Sequence, residues 1–256
     1  MQFVDTHCHI HFDDYGIDPE VAIAHAKQAG VTRLLAVGCT LHDSETAIAL
    51  ASRYDNVWAA IGLHPHEGAV YVRDEKALQR FRDLAGKPKV VAVGETGLDY
   101  YYNHSPKDDQ EKLLRFQLEI GLENNLPFIF HVREAFADFW RIFDEYSGIR
   151  GVVHSFSATP KDLEQVLGRN LYVGLNGIMT FTKDQQQLEA AKAVPLEKML
   201  LETDAPFLTP KPLRGKICEP KHVVNTAEFL AQLRGETVEQ IAEYTTKNAK
   251  RLFHLL

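Results

Sequence analysis

Two histidines one residue apart near the start of the chain, His7 and His9 in Phe3-Val4-Asp5-Thr6-His7-Cys8-His9, are the first residues whose spacing could do chemistry. The apolar lead-in reads as a strand, on which alternate side chains share a face, so both imidazoles point one way and Cys8 the other. Paired neutral imidazoles suit a borderline divalent metal such as zinc, nickel or manganese. Such a pair alone fits ordinary strand-end histidines with hydrogen-bond partners equally well, so the case rests on recurrence. Later apolar runs end in the same way: Val90-Val91-Ala92-Val93-Gly94 leads into Glu95, Phe128-Ile129-Phe130 into His131, Val152-Val153 into His154, and Met199-Leu200-Leu201-Glu202-Thr203 into Asp204. Taken singly, Glu95 can be a helix-start acid, His131 and His154 packed histidines, and Asp204 before Ala205-Pro206 a turn former. Together they supply four histidines and two carboxylates. That exceeds one catalytic zinc with an open position and suits two cations sharing a bridging group.

The elements that must carry these residues alternate from end to end. Strand-like runs fall at 3–7, 33–37, 57–61, 90–94, 128–131, 152–155, 171–175 and 199–203. Stretches at helical spacing lie between and after them, at 19–29, 43–54, 74–85, 109–124, 134–146, 161–167, 184–193, 221–234 and 238–255. Helix-start signals stand at Asp18-Pro19 and Thr159-Pro160. Eight βα units predict an α/β TIM (β/α)8 barrel, whose strand ends all meet at one mouth. No linker or change of composition interrupts the pattern, so residues 1–256 are expected to form a single domain. The longest irregular stretches, 100–107 and 209–219, follow strand ends, where barrels place substrate loops.

Composition narrows the function class. A net charge of -7 gives no global attraction to nucleic acid, so any polyanionic substrate must be drawn by the site itself, through bound cations. The opening Met-Gln-Phe-Val-Asp lacks a basic region followed by an apolar run, and no stretch is apolar enough to span a bilayer. Cys8, Cys39 and Cys218 form no C-x-x-C pair. Their odd number argues for a reducing, cytoplasmic setting. The sequon Asn103-His104-Ser105 would then carry no glycan. Oligomeric state is open, with a monomer favoured.

The strand-end set resembles a known family. Val4-Asp5-Thr6-His7-Cys8-His9, Gly62-Leu63-His64-Pro65-His66, Gly94-Glu95-Thr96-Gly97-Leu98-Asp99-Tyr100-Tyr101, His131-Val132-Arg133, His154-Ser155-Phe156 and Glu202-Thr203-Asp204-Ala205-Pro206 are similar, in order, to the TatD family of metal-dependent deoxyribonucleases in the amidohydrolase superfamily. The match continues to Asn248-Ala249-Lys250-Arg251-Leu252-Phe253. It implies a barrel with a dinuclear centre of magnesium, manganese or zinc and exonuclease action on DNA, from single-stranded 3′ ends. Many amidohydrolases bridge their metals with a carbamylated lysine on the fourth strand; Glu95 stands here instead, so a carboxylate bridge is expected. Cys218 stands where the family usually has Asn, which puts one loop hydrogen bond in doubt and leaves the metal set untouched.

By position, His7, His9 and Asp204 would hold one metal and His131 and His154 the other, with Glu95 between them. Asp204 could also take the proton of the attacking water. Arg133 can grip a phosphate or serve in a structural ion pair. His64 and His66, presented by Pro65, are second-tier substrate contacts, and Glu202 shares the face of Asp204 and could orient a ligand. Tyr100, Tyr101 and Tyr102 can stack bases or pack their loop. His25, His42, His104, His222 and His254 receive no role. Two other activities stay open: the same centre could hydrolyse an ester or amide, such as the aminoacyl ester of a D-aminoacyl-tRNA, or the barrel could bind nucleic acid, DNA or RNA, without cutting it.

Overall fold

The computed structural model describes residues 1–102 and 104–255; the sequon residue Asn103 lies outside them. Eight strands occur, β1 (Phe3–Cys8), β2 (Val31–Val37), β3 (Val57–Ile61), β4 (Val90–Asp99), β5 (Phe128–Arg133), β6 (Gly151–Val153), β7 (Tyr172–Leu175) and β8 (Met199–Leu201). They belong to one sheet in chain order. Two compact units divide the chain, one made of Met1–Ala36 with Val152–Leu256 and the other of Val37–Gly151.

In the first unit β1 pairs in parallel with β2, and β6, β7 and β8 pair in parallel in sequence. Buried strands in parallel sheets are continuous apolar runs, and Val152, Val153, Val173, Leu175, Leu200 and Leu201 are all at most 1% exposed. Helices cover the strands and start where the sequence signals them. The Asp18 side chain accepts from the Glu20 N–H at the head of Pro19–Gln28, and Thr159 with Asp162 forms a capping box on Pro160–Gly168. The closing helix, Val238–Phe253, is capped likewise by Thr237 and Gln240, and ends at His254 in a left-handed conformation.

The second unit is built on β3, β4 and β5, again parallel. Its core is aromatic. Phe128 stacks on Phe130 at 5.4 Å, and Phe139 meets Phe130 and Trp140 edge-on at 5.0 and 4.9 Å. Helices Leu41–Arg53, Glu75–Leu84, Lys107–Glu123 and Phe136–Phe143 cover it, with a short turn of helix at Gly68–Tyr71 that hydrophobic spacing does not announce. One boundary departs strongly from expectation. β4 does not stop at Gly94 but runs on to Asp99, because Thr96–Asp99 pair in register with Phe130–Arg133 after an irregularity following Val93. Gly97 permits this: a Cβ there would lie 1.8 Å from the His131 carbonyl oxygen.

Candidate functional site

In the first unit, the turn after β8 is tied to the end of β1. Asp204 N–H donates to the His7 carbonyl at 2.8 Å, His9 N–H donates to the Ala205 carbonyl at 2.7 Å, and Cys8 bridges Ala205 in parallel. Asp5 completes the tie: its carboxylate accepts from the His7 N–H at 3.2 Å, the Thr203 N–H at 2.9 Å and the Thr203 hydroxyl at 2.6 Å. Burial pushes the Asp5 carboxyl up to about 8, against those donors. Asp204 sits in the left-handed region at φ 62, a conformation that Asp tolerates better than most residues and that turns its carboxylate back over β1.

The consequence is convergence. His7 Nε2 and His9 Nε2 lie 3.0 Å apart, and Asp204 Oδ1 lies 3.5 Å from the first and 3.3 Å from the second. The His154 ring stacks on His7 at 4.0 Å, and its Nδ1 is 3.5 Å from Glu202 Oε1. Glu202 is fully buried; Oε1 accepts from the Ser155 N–H, while Oε2 has no hydrogen-bond partner among the described residues. Room for that carboxylate exists because residue 174 is glycine, where a Cβ would lie 2.3 Å from Oε2. A divalent cation fits this set. Donors arranged tetrahedrally at about 2.1 Å from a metal stand about 3.4 Å from one another. His7, His9 and Asp204 have that spacing, and His7, His154 and Glu202 offer donor atoms within 4.8 Å. Burial drives the Asp204 carboxyl up, but the hydrogen bond with His9 and the field of His7 outweigh it and hold the group below its usual range.

The second unit carries its own cluster at the ends of β3, β4 and β5. His131 Nδ1 is 2.7 Å from Glu95 Oε1, and His64 Nε2 is 3.6 Å from the same oxygen. On its other side, His131 Nε2 lies 3.0 Å from Asp99 Oδ2, which also meets His66 Nε2 at 3.1 Å. A neutral imidazole donates from one nitrogen only. With carboxylate oxygens at both nitrogens, one of the two contacts needs a further proton or a cation between the groups. Asp99 Oδ1 accepts from the N–H groups of Tyr101 and Tyr102 at 2.9 and 3.1 Å. Burial alone would raise the Asp99 carboxyl; the hydrogen bond with His131 and that from the Tyr102 N–H hold it well below its usual range. Burial pushes His64 down to about 4, so it is neutral at pH 7.

His7, His9, His154, Glu202 and Asp204 thus meet in one unit, and His64, His66, Glu95 and His131 in the other. Arg133 is exposed, its guanidinium 4.0 Å from the centre of the Tyr101 ring and 4.6 Å from that of Tyr102. Asp99, Asp5 and His104 carry more of the site than the sequence reading gave them. Asp99 lies four residues beyond Glu95, an even step along a strand, a signal hidden by ending the strand at Gly94. Of the histidines without an assigned role, His25 pairs with Glu219 at 2.6 Å and His222 Nδ1 accepts from the Glu219 N–H, both structural. Cys218 is buried, with its N–H donating to the Pro206 carbonyl and its carbonyl accepting from the Tyr15 hydroxyl, so backbone groups hold this loop.

Comparison with known proteins gives the family. A family profile described as TatD related DNase matches residues 4–254. The chain is 38% identical over 253 residues to an uncharacterized metal-dependent hydrolase, YabD, of Bacillus subtilis, with 98% of each chain covered. It is 37% identical over 243 residues to the 3′-5′ ssDNA/RNA exonuclease TatD of Cronobacter sakazakii, covering 92% of each. The crystal structure of YJJV, a TatD homolog from Escherichia coli k12, superposes with a TM-score of 0.91 at 29% identity over 98% of both chains. The fold is therefore the α/β TIM barrel, and the protein an enzyme. With the profile covering nearly its whole length, the chain belongs to the TatD-related DNase family of metal-dependent hydrolases.

Proposed function

We propose that this enzyme is a divalent-metal-dependent phosphodiesterase that shortens single-stranded DNA or RNA from its 3′ end. The observation that carries the reading is the convergence of His7 Nε2, His9 Nε2 and Asp204 Oδ1 to within 3.5 Å of one another, with the buried Glu202 grouped with His7 and His154. Relatives named as 3′-5′ ssDNA/RNA exonucleases at about this level of identity support the substrate class.

In this reading His7, His9 and Asp204 with His154 would hold one cation, and Glu95 and His131 with His64 beside them a second. Magnesium, manganese and zinc are the candidates. Bound there, they supply Lewis acidity: they offset the charge of the phosphate and make a water acidic enough to attack near neutral pH. Asp204, kept ionised, accepts a proton from the attacking water. Glu95 fixes the Nδ1 face of His131, and Glu202 fixes His154. Arg133, with no hydrogen bond to its guanidinium among the described residues, offers its N–H edge to a phosphate of the strand. His64 and His66 face the bond to be broken. His64 is uncharged there and acts as a hydrogen-bonding group.

The test uses a 5′-labelled single-stranded oligonucleotide and chelator-stripped enzyme reloaded with magnesium, manganese or zinc. A ladder shortening from the 3′ end, absent in Asp204→Asn, is expected. Protein that binds two equivalents of metal yet gives no ladder with any of them would overturn the reading in favour of ester or amide substrates.

A further inference from the structure

We propose that Tyr101, Tyr102, His104 and Arg133 form a ledge on which the bases of a single strand stack, independent of sequence. The proposal rests on the nuclease reading and names the part of the substrate that site would hold besides the phosphate.

The first observation is exposure. Tyr101 and Tyr102 are 53% and 50% exposed, and among the described residues only Phe207 is a comparably exposed aromatic. Exposed rings in loops normally fold back onto apolar neighbours. Here both backbone N–H groups are held by Asp99 Oδ1, so the loop is fixed while the rings face outward. The second is order. The two rings meet edge-to-face at 4.8 Å, Tyr102 lies parallel to His104 at 5.6 Å and 13°, and His104 meets His66 edge-on at 4.6 Å. Arg133 spans both tyrosines as a cation–π partner, which leaves its planar N–H edge available to an anion. The third is anchorage. Asp99 joins the ledge to His66 and His131 through its other oxygen, and Arg133 is two strand residues from His131, roughly the span from a phosphate to the base it carries.

A base presents a π-face whatever its identity, so stacking on such a ledge binds strands without reading them. The net charge of -7 is consistent with this mode, because a chain with no global attraction for phosphate draws its affinity from the site, where stacking adds to bound cations. Tyr100 is not part of the ledge. Lys107 covers its ring at 3.8 Å and its hydroxyl faces Asp138.

The test measures binding of a short oligodeoxynucleotide carrying 2-aminopurine near its 3′ end to metal-stripped enzyme. An otherwise identical strand with abasic sites is the control, alongside Tyr101→Ala/Tyr102→Ala and Tyr101→Phe/Tyr102→Phe. Stacking losses of the usual size predict at least tenfold weaker binding in the alanine variant, and the same loss for wild type on the abasic strand. The phenylalanine variant keeps the affinity. An enzyme that cuts DNA but binds normal and abasic strands equally overturns the ledge alone. One that neither binds nor cuts any strand overturns the nuclease reading with it. If the alanine variant does not fold, the wild-type comparison of the two strands decides.

Discussion

The two histidine–carboxylate clusters use the same side-chain types and differ in how they meet water. In the first unit His7, His9 and Glu202 are at most 2% exposed and His154 only 6%, and the main chain itself lashes β1 to the turn after β8. In the second, the His64, His131 and His66 side chains are 13%, 17% and 25% exposed, and the cluster continues through Asp99 into a solvent-facing row of tyrosines and Arg133. Burial makes an unpaired polar atom such as Glu202 Oε2 costly, so that carboxylate favours a partner. Partial exposure instead leaves side chains able to exchange water for a ligand. The first cluster is thus suited to holding a cation away from solvent, and the second to holding one where an incoming strand can reach it.

The largest effect expected from this contrast is at Asp204. In the proposed mechanism its replacement by Asn weakens a cation ligand and removes a proton acceptor, and turnover on a single-stranded oligonucleotide should fall at least about a thousandfold with the fold intact by circular dichroism. Second comes Glu202→Gln. If its buried carboxylate serves the cation, affinity for manganese or zinc by calorimetry should drop by roughly 10- to 100-fold; unchanged affinity would make the first cluster a structural network only. Asp99→Asn should act more mildly, lowering kcat about tenfold while the number of bound cations stays the same, since it touches His131 on the side away from Glu95.

The smallest effect concerns pH. His64 has its folded pKa depressed to about 4 from an ordinary 6.5, chiefly by burial, so the unfolded chain binds the extra proton first. Its contribution to stability is complete above pH 6.5 and is lost as pH falls from there towards 4. In metal-free enzyme, His64→Gln should therefore flatten the decline in stability across that window, by an amount on the order of 2 kcal/mol in urea titrations. A decline that stays as steep in the variant would show that the second cluster is as readily hydrated as the surface.

The strand-end histidines and carboxylates were legible because their physics is local. A buried strand has no use for a histidine or carboxylate at its tip, so His7, His9, Glu95, His131, His154 and Asp204 stand out against apolar runs, and Pro19 and Pro160 mark helix starts by the φ they impose. The alternation of strand and helix likewise fixes the barrel class. Other features had no local signal. β4 reaches Asp99 only because Gly97 lets it approach β5, which depends on a partner thirty-odd residues away. The run Tyr100-Tyr101-Tyr102 reads as three equal aromatics, yet Lys107 covers the first while Asp99 and Arg133 hold the other two outward.

What the sequence determined by itself, then, is which residues are chemically fit for the proposed reaction and that successive βα units deliver them, since both follow from periodicity and side-chain type. What only the tertiary structure decided is their grouping: His154 against His7 and Glu202, and His131 between Glu95 and Asp99. Grouping depends on register, close backbone approach and burial, and these are properties of pairs of segments distant along the chain.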